Sequence, residues 1–236
     1  MQPFAGGPIS NRQLALRTAG VTVRDLFGGL VIGFAVGSLL DGVASPLPTW
    51  LRRTVSTLAA ATVVTLAGRI WVRHVAQLAG RVVPRHLTRT GVTFGATTIV
   101  MALALAALEP GLLARAAATQ VPVHAVYTVV FVPATGLIAA SGAFALGQAL
   151  RNWRFGVRLS LVAGFVAAVA FLLSALLMAA LGWRVGAPRA AERATMLVVT
   201  AVGAAAAAIL AGGVIGYVLS RIGGTGPSVS SAESRE

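Results

Sequence analysis

Six long apolar stretches, each bounded by arginine, proline or glycine, constrain this chain more than any other feature. A bilayer hydrocarbon core about 30 Å thick needs roughly 20 consecutive apolar residues of helix. Residues 26–46, 54–72, 92–113, 123–147, 157–182 and 194–220 each come close to or exceed that length. In lipid, only a helix or a closed barrel satisfies every backbone N–H and C=O internally. Runs of this length without period-two alternation predict an all-α fold: a polytopic transmembrane bundle of about six helices in one membrane domain. The ends, residues 1–10 and 223–236, are rich in Gly, Ser and Pro and are expected to be disordered tails.

Composition agrees with lipid as the main solvent. Hydrophobic residues make up 57% of the chain and charged residues 11%, against roughly 25% charged in a soluble domain. There is too little charge to clothe a water-soluble globule of this size. The first run follows Arg12, Arg17 and Arg24 and leads into Asp41 and Pro46, with no small-residue cleavage site. It reads as a retained helix rather than a cleaved leader.

The charge is +13, and all 19 basic residues are arginine, a bias that a GC-rich genome accounts for. These arginines lie between apolar runs, which favours topology over nucleic-acid binding as their explanation. With the N-terminus placed inside, inner segments hold thirteen: Arg12, Arg17, Arg24, Arg69, Arg73, Arg81, Arg85, Arg89, Arg151, Arg154, Arg158, Arg221 and Arg235. Outer loops hold six: Arg52, Arg53, Arg115, Arg184, Arg189 and Arg193. The positive-inside bias therefore predicts cytoplasmic N- and C-termini in the inner membrane of a prokaryote.

Three patterns could carry function. Arg69, Arg73, Gln77, Arg81, Arg85 and Arg89 recur every four residues, so one continuous helix would gather them into a stripe. Like charges at that spacing repel by a few tenths of a kcal/mol per pair, on the order of the usual i,i+4 effect. Anionic lipid phosphates or an acidic partner would neutralise the stripe, although an ordinary basic loop also explains it. Pro84 is expected to end that helix. Gly29, Gly33 and Gly37 on the first run, and Ala204, Ala208, Gly212 and Gly216 on the sixth, form small-residue rows that allow close helix packing. Packing between the two rows, Gly33 towards Gly216, is one expected arrangement. Pro133, Thr135 and Gly136 interrupt the fourth run; they predict a proline kink, or alternatively freed backbone groups along a solute path.

Catalytic chemistry finds no foothold in the sequence. Cysteine is absent, which excludes thiolate nucleophiles and cysteine-bound metal. Asp25, Asp41 and Glu109 fall at predicted run ends, so no carboxylate is expected in the middle of a span. His74 and His86 are twelve residues apart, about 120° around a helix, a poor metal pair. His124 stands at a predicted outer helix end. No catalytic residue, metal ligand or cofactor is therefore assigned. The sequence points first to a non-catalytic subunit that packs with other membrane proteins or copies of itself, its basic face towards anionic lipid or an acidic partner. The alternative is a permease component for a neutral or weakly polar solute, with the fourth run lining the path.

Overall fold

The computed structural model describes residues 10–44, 46–80, 94–100, 115, 118–150, 153–183 and 190–223. Their architecture is helical throughout. We label the elements α1 (Asn11–Val43), α2 (Thr49–Leu78), α3 (94–100), α4 (Val123–Ala149), α5 (Trp153–Leu181) and α6 (Ala190–Gly223). Among the described residues, five helices are long and apolar enough to cross a membrane: α1, α2, α4, α5 and α6. Of the third apolar run, 94–100 is helical and 101–113 lies outside the described residues.

The first helix starts fifteen residues earlier than the apolar run that signals it. Ser10 caps it: its hydroxyl accepts from the Gln13 N–H and the Gln13 side chain accepts from the Ser10 N–H, each at 3.2 Å. This reciprocal box satisfies two otherwise orphaned donors of the first turn. At about 1.5 Å per residue, the 33 residues of α1 run about 50 Å. A single wide turn, Val23–Phe27, divides it into Asn11–Thr22 and Gly28–Val43. The division also separates two partners, since Asn11–Thr22 packs on α6 and Gly28–Val43 packs on α2.

Helix α2 stops sooner than the arginine spacing suggests. Its last residue is Leu78, and Gly80 follows in the left-handed region at φ +67°, donating to the Gln77 carbonyl at 3.0 Å. Glycine reaches that conformation without a Cβ penalty and so terminates helices. The stripe therefore ends, within α2, at Gln77. Arg81, Pro84, Arg85 and Arg89 lie outside the described residues.

Pro133 does not break α4. A second wide turn, Tyr127–Phe131, lies just before it, and the Val132 N–H reaches back five residues to the Tyr127 carbonyl. Inserting an extra residue in the turn absorbs the mismatch that a ring without an N–H creates. Thr135 donates its hydroxyl to the Phe131 carbonyl at 2.9 Å, satisfying a second backbone acceptor there.

Sequential helices pack antiparallel: α1 with α2, α4 with α5, and α5 with α6, with α6 returning to the first half of α1. Helix α5 is central, with 44% of its most apolar stretch buried against 11% in α1. Two cores result. One joins Leu14, Trp71, Val75, Phe94, Leu146, Leu159 and Ile215; the other joins Val123, Tyr127, Phe171, Met178 and Ala207.

Candidate functional site

The wide turn of α1 carries the densest polar cluster among the described residues. Asp25 lies within it, its side chain only 6% exposed. Arg24 donates Nε to Asp25 Oδ1 at 2.7 Å, and its Nη2 lies 3.4 Å from Oδ2. From α2, His74 places Nδ1 2.7 Å from Asp25 Oδ2 and 2.8 Å from Arg24 Nη2. The two helices run antiparallel, so a residue early on α1 meets one late on α2. Their closeness comes from glycine: a Cβ on Gly29 would strike Ala67, and one on Gly33 would lie 3.0 Å from the Ala60 carbonyl oxygen.

One turn away, buried neutral groups continue the cluster. Trp71, 1% exposed, donates Nε1 to the Thr22 hydroxyl at 2.9 Å. Thr22 donates onward to the Thr18 carbonyl at 2.7 Å. Both threonines face α6, where Gly212 and Gly216 leave room for them. A buried hydroxyl or indole N–H without a partner costs about 1–3 kcal/mol, so this chain of bonds fixes the register of α1 against α2.

At the far end of the α1–α2 hairpin, Arg52 pairs with Asp41 at 2.9 Å. The sequence puts Asp25 at the end of an apolar run; the structure continues the helix through it from Asn11, with its side chain buried and paired. The sequence did carry the signal. Ser10 and Gln13 in the Ser-x-x-Gln pattern announce a helix start at Asn11, which puts Asp25 four turns into the helix. Nothing in the sequence links Asp25 to His74.

The other sequence-derived candidates fall as follows. Arg69 and Arg73 are exposed on α2, and Arg73 is next to His74 in sequence. Gly29, Gly33 and Gly37 face Ala67, Ala60 and Ser56 of α2, whereas Gly212 and Gly216 face Ala15, Thr18, Ala19 and Thr22 of α1. The two glycine rows thus pack on different partners, and the pairing of Gly33 with Gly216 does not occur. Ala208 is half-buried beside Ala207 and Ala211, which carry the buried contacts. Pro133 is exposed on the outside of α4, Thr135 is half-buried, and Gly136 is buried against the Gly164 carbonyl of α5, where a Cβ would lie 3.0 Å away.

A second set of ties joins α4, α5 and α6. Tyr127 Oη and Thr200 Oγ1 are 2.6 Å apart, and Ser174 donates to the Val199 carbonyl at 2.9 Å. The Tyr127 ring stacks on Phe171, with centroids 6.4 Å apart. Among the described residues, no group of three His, Asp or Glu side chains could hold a metal ion.

The apolar helices and their buried, helix-to-helix polar ties define an α-helical multi-pass membrane protein. No family model matches the chain, and no curated protein or solved structure matches it either.

Proposed function

We propose that this chain is a non-catalytic membrane subunit. It packs with other membrane proteins or with copies of itself and turns its basic end to anionic lipid or an acidic partner. Charge asymmetry between the two ends of the bundle carries the reading. Antiparallel packing gathers Arg12, Arg17, Arg24, Arg69, Arg73, Arg154, Arg158 and Arg221 at one end, with Asp25 the only acidic residue there among those described. Arg52, Arg53 and Arg115 share the other end with Asp41 and Glu192.

An arginine near an anionic surface contributes on the order of 1 kcal/mol, so several together bind it firmly. Two of these arginines lie over aromatic rings at the same end. The Arg154 guanidinium is 5.9 Å from the Trp153 ring centre, and that of Arg221 is 5.2 Å from the Tyr217 ring centre. Aromatic and basic side chains together favour the headgroup level. The positive-inside rule assigns this end to the cytoplasmic side of a prokaryotic inner membrane.

The interior supports a structural role more than a conducting one. Pro133 is exposed and Gly136 is packed against Gly164 of α5, so among the described residues this stretch of α4 lines no opening for a solute. The hydroxyls of Thr22, Tyr127, Thr200 and Ser174 and the Trp71 indole N–H serve as ties between or along helices.

Purification in mild detergent followed by native mass spectrometry tests the proposal. The expected result is a complex with a second chain or a homo-oligomer that retains anionic phospholipid. A lone monomer carrying no such lipid refutes it.

A further inference from the structure

We propose that Arg24, Asp25 and His74 form a proton-binding site in which one ring nitrogen chooses between two partners. The argument is stereochemical. His74 Nδ1 lies 2.7 Å from a carboxylate oxygen and 2.8 Å from a guanidinium nitrogen. A carboxylate only accepts hydrogen bonds, and a guanidinium only donates them. A single ring nitrogen either carries a hydrogen or offers a lone pair, so it satisfies one of these neighbours at a time.

Two arrangements follow. With the ring neutral and its hydrogen on Nε2, the Nδ1 lone pair accepts from Arg24 Nη2–H. Uptake of one proton from water at Nδ1 gives an imidazolium that donates to Asp25 Oδ2. No other covalent bond changes. The Nη2–H then meets another N–H and leaves, while Arg24 Nε keeps its bond to Oδ1 or lets go with it. The guanidinium has somewhere to go, because the Arg24 side chain is 64% exposed while Asp25 is 6% exposed. His74, 37% exposed, is within reach of water at this end of the bundle.

Among the described residues, the surroundings leave the choice to these three groups. Two elements besides the rest of α1 pack on the turn. On α2, the other charged side chains nearby are Arg69 and Arg73, both exposed. On α6, the stretch 204–213 is Ala, Ile, Leu and Gly only. On α1 itself, Arg17 is exposed two turns before Arg24. The cluster sits on the wide turn of α1, where the backbone departs from regular α-helical bonding; such turns recur at functional sites. This inference does not depend on the subunit role, and a solitary monomer would leave it standing.

Nitrogen NMR of the full chain, labelled at His and Arg in phosphatidylcholine nanodiscs, tests it. The His86→Gln/His124→Gln background isolates His74, and Arg24→Gln assigns the Arg24 signals. As the pH is lowered, Nδ1 is expected to pass from unprotonated to protonated. The Arg24 Nη signals are expected to move in step, and to lose that movement in His74→Gln. Arg24 signals that stay fixed while His74 protonates overturn the inference. So does an Nδ1 that carries a hydrogen at every pH. The coupling is read in the chain with His74 intact, so the inference stands or falls even if His74→Gln does not fold.

Discussion

Gly212 and Gly213 are adjacent in α6, yet alanine at the two positions should act in opposite directions. At Gly213 an added Cβ meets nothing within 4 Å. Replacing glycine there removes backbone freedom from the unfolded chain and stabilises by about 0.5–1 kcal/mol. At Gly212 the same atom collides with Thr22 Oγ1, lies 2.7 Å from Thr22 Cβ and 3.1 Å from Ala19 Cα. Ordinary carbon contacts are about 3.5–4.0 Å, so α1 and α6 must part by roughly 1 Å or Thr22 must turn.

Parting the helices forfeits about a quarter to a half of the dispersion attraction between the facing surfaces. Turning Thr22 sacrifices its bonds to the Thr18 carbonyl and the Trp71 indole. The interhelical one, from the Trp71 indole, is worth about 0.6 to 2 kcal/mol in membranes. Overpacking of one methyl costs about 1–3 kcal/mol even after relaxation. Set against the helix-propensity gain, Gly212→Ala should still destabilise by roughly 1–2 kcal/mol, leaving about 2–3 kcal/mol between the two variants. Equilibrium unfolding by sodium dodecyl sulfate in mixed micelles, followed by near-ultraviolet circular dichroism, reads the difference directly. If both variants shift stability in the same direction by a similar amount, Asn11–Thr22 is not seated on α6 as described.

Three other substitutions probe the remaining ties. Trp71→Phe keeps most of the buried ring but removes the N–H that Thr22 Oγ1 accepts, leaving Thr22 its bond to the Thr18 carbonyl, and a loss of about 1 kcal/mol is expected in the same unfolding assay. Tyr127→Phe leaves the stack on Phe171 intact and removes only the bond to Thr200. It should cost about 0.6 kcal/mol, close to the average for such bonds in a bilayer, and a loss several times larger would mean that Tyr127 does more than tie α4 to α6. Asp41→Asn breaks an ion pair whose partners are 47% and 27% exposed. Thermal unfolding in nanodiscs should therefore register at most about 1 kcal/mol, since exposed pairs contribute little.

Much of the architecture was legible because lipid imposes a one-dimensional rule. A stretch of about 20 apolar residues must be helical, since no other open structure satisfies its backbone in hydrocarbon. Five of the runs read from sequence coincide with long helices, with ends that moved by several residues. The two largest differences in extent had local causes that sequence alone contained. The Ser10–Gln13 box starts α1 at Asn11, and Gly80 ends α2 at Leu78. Polar capping residues do not register in a hydrophobicity count, so hydrophobicity alone starts the first helix too late; of the arginine stripe, Arg81, Arg85 and Arg89 lie outside the described residues.

The candidate site was not legible for a different reason. Periodicity tells which residues share a face of one helix; it does not tell which helix that face will meet. Gly29, Gly33 and Gly37 fit any small-residue partner, as do Gly212 and Gly216. Only packing decided that the first row takes α2 and the second takes the N-terminal half of α1. That choice brings Asp25 to His74 across 49 residues of chain and Trp71 to Thr22 across the same separation. Sequence by itself determined that this chain is a bundle of helices with arginines at their ends, because the solvent demands it. Tertiary structure determined which polar groups meet inside, because close helix approach is set by pairs of surfaces rather than by either one.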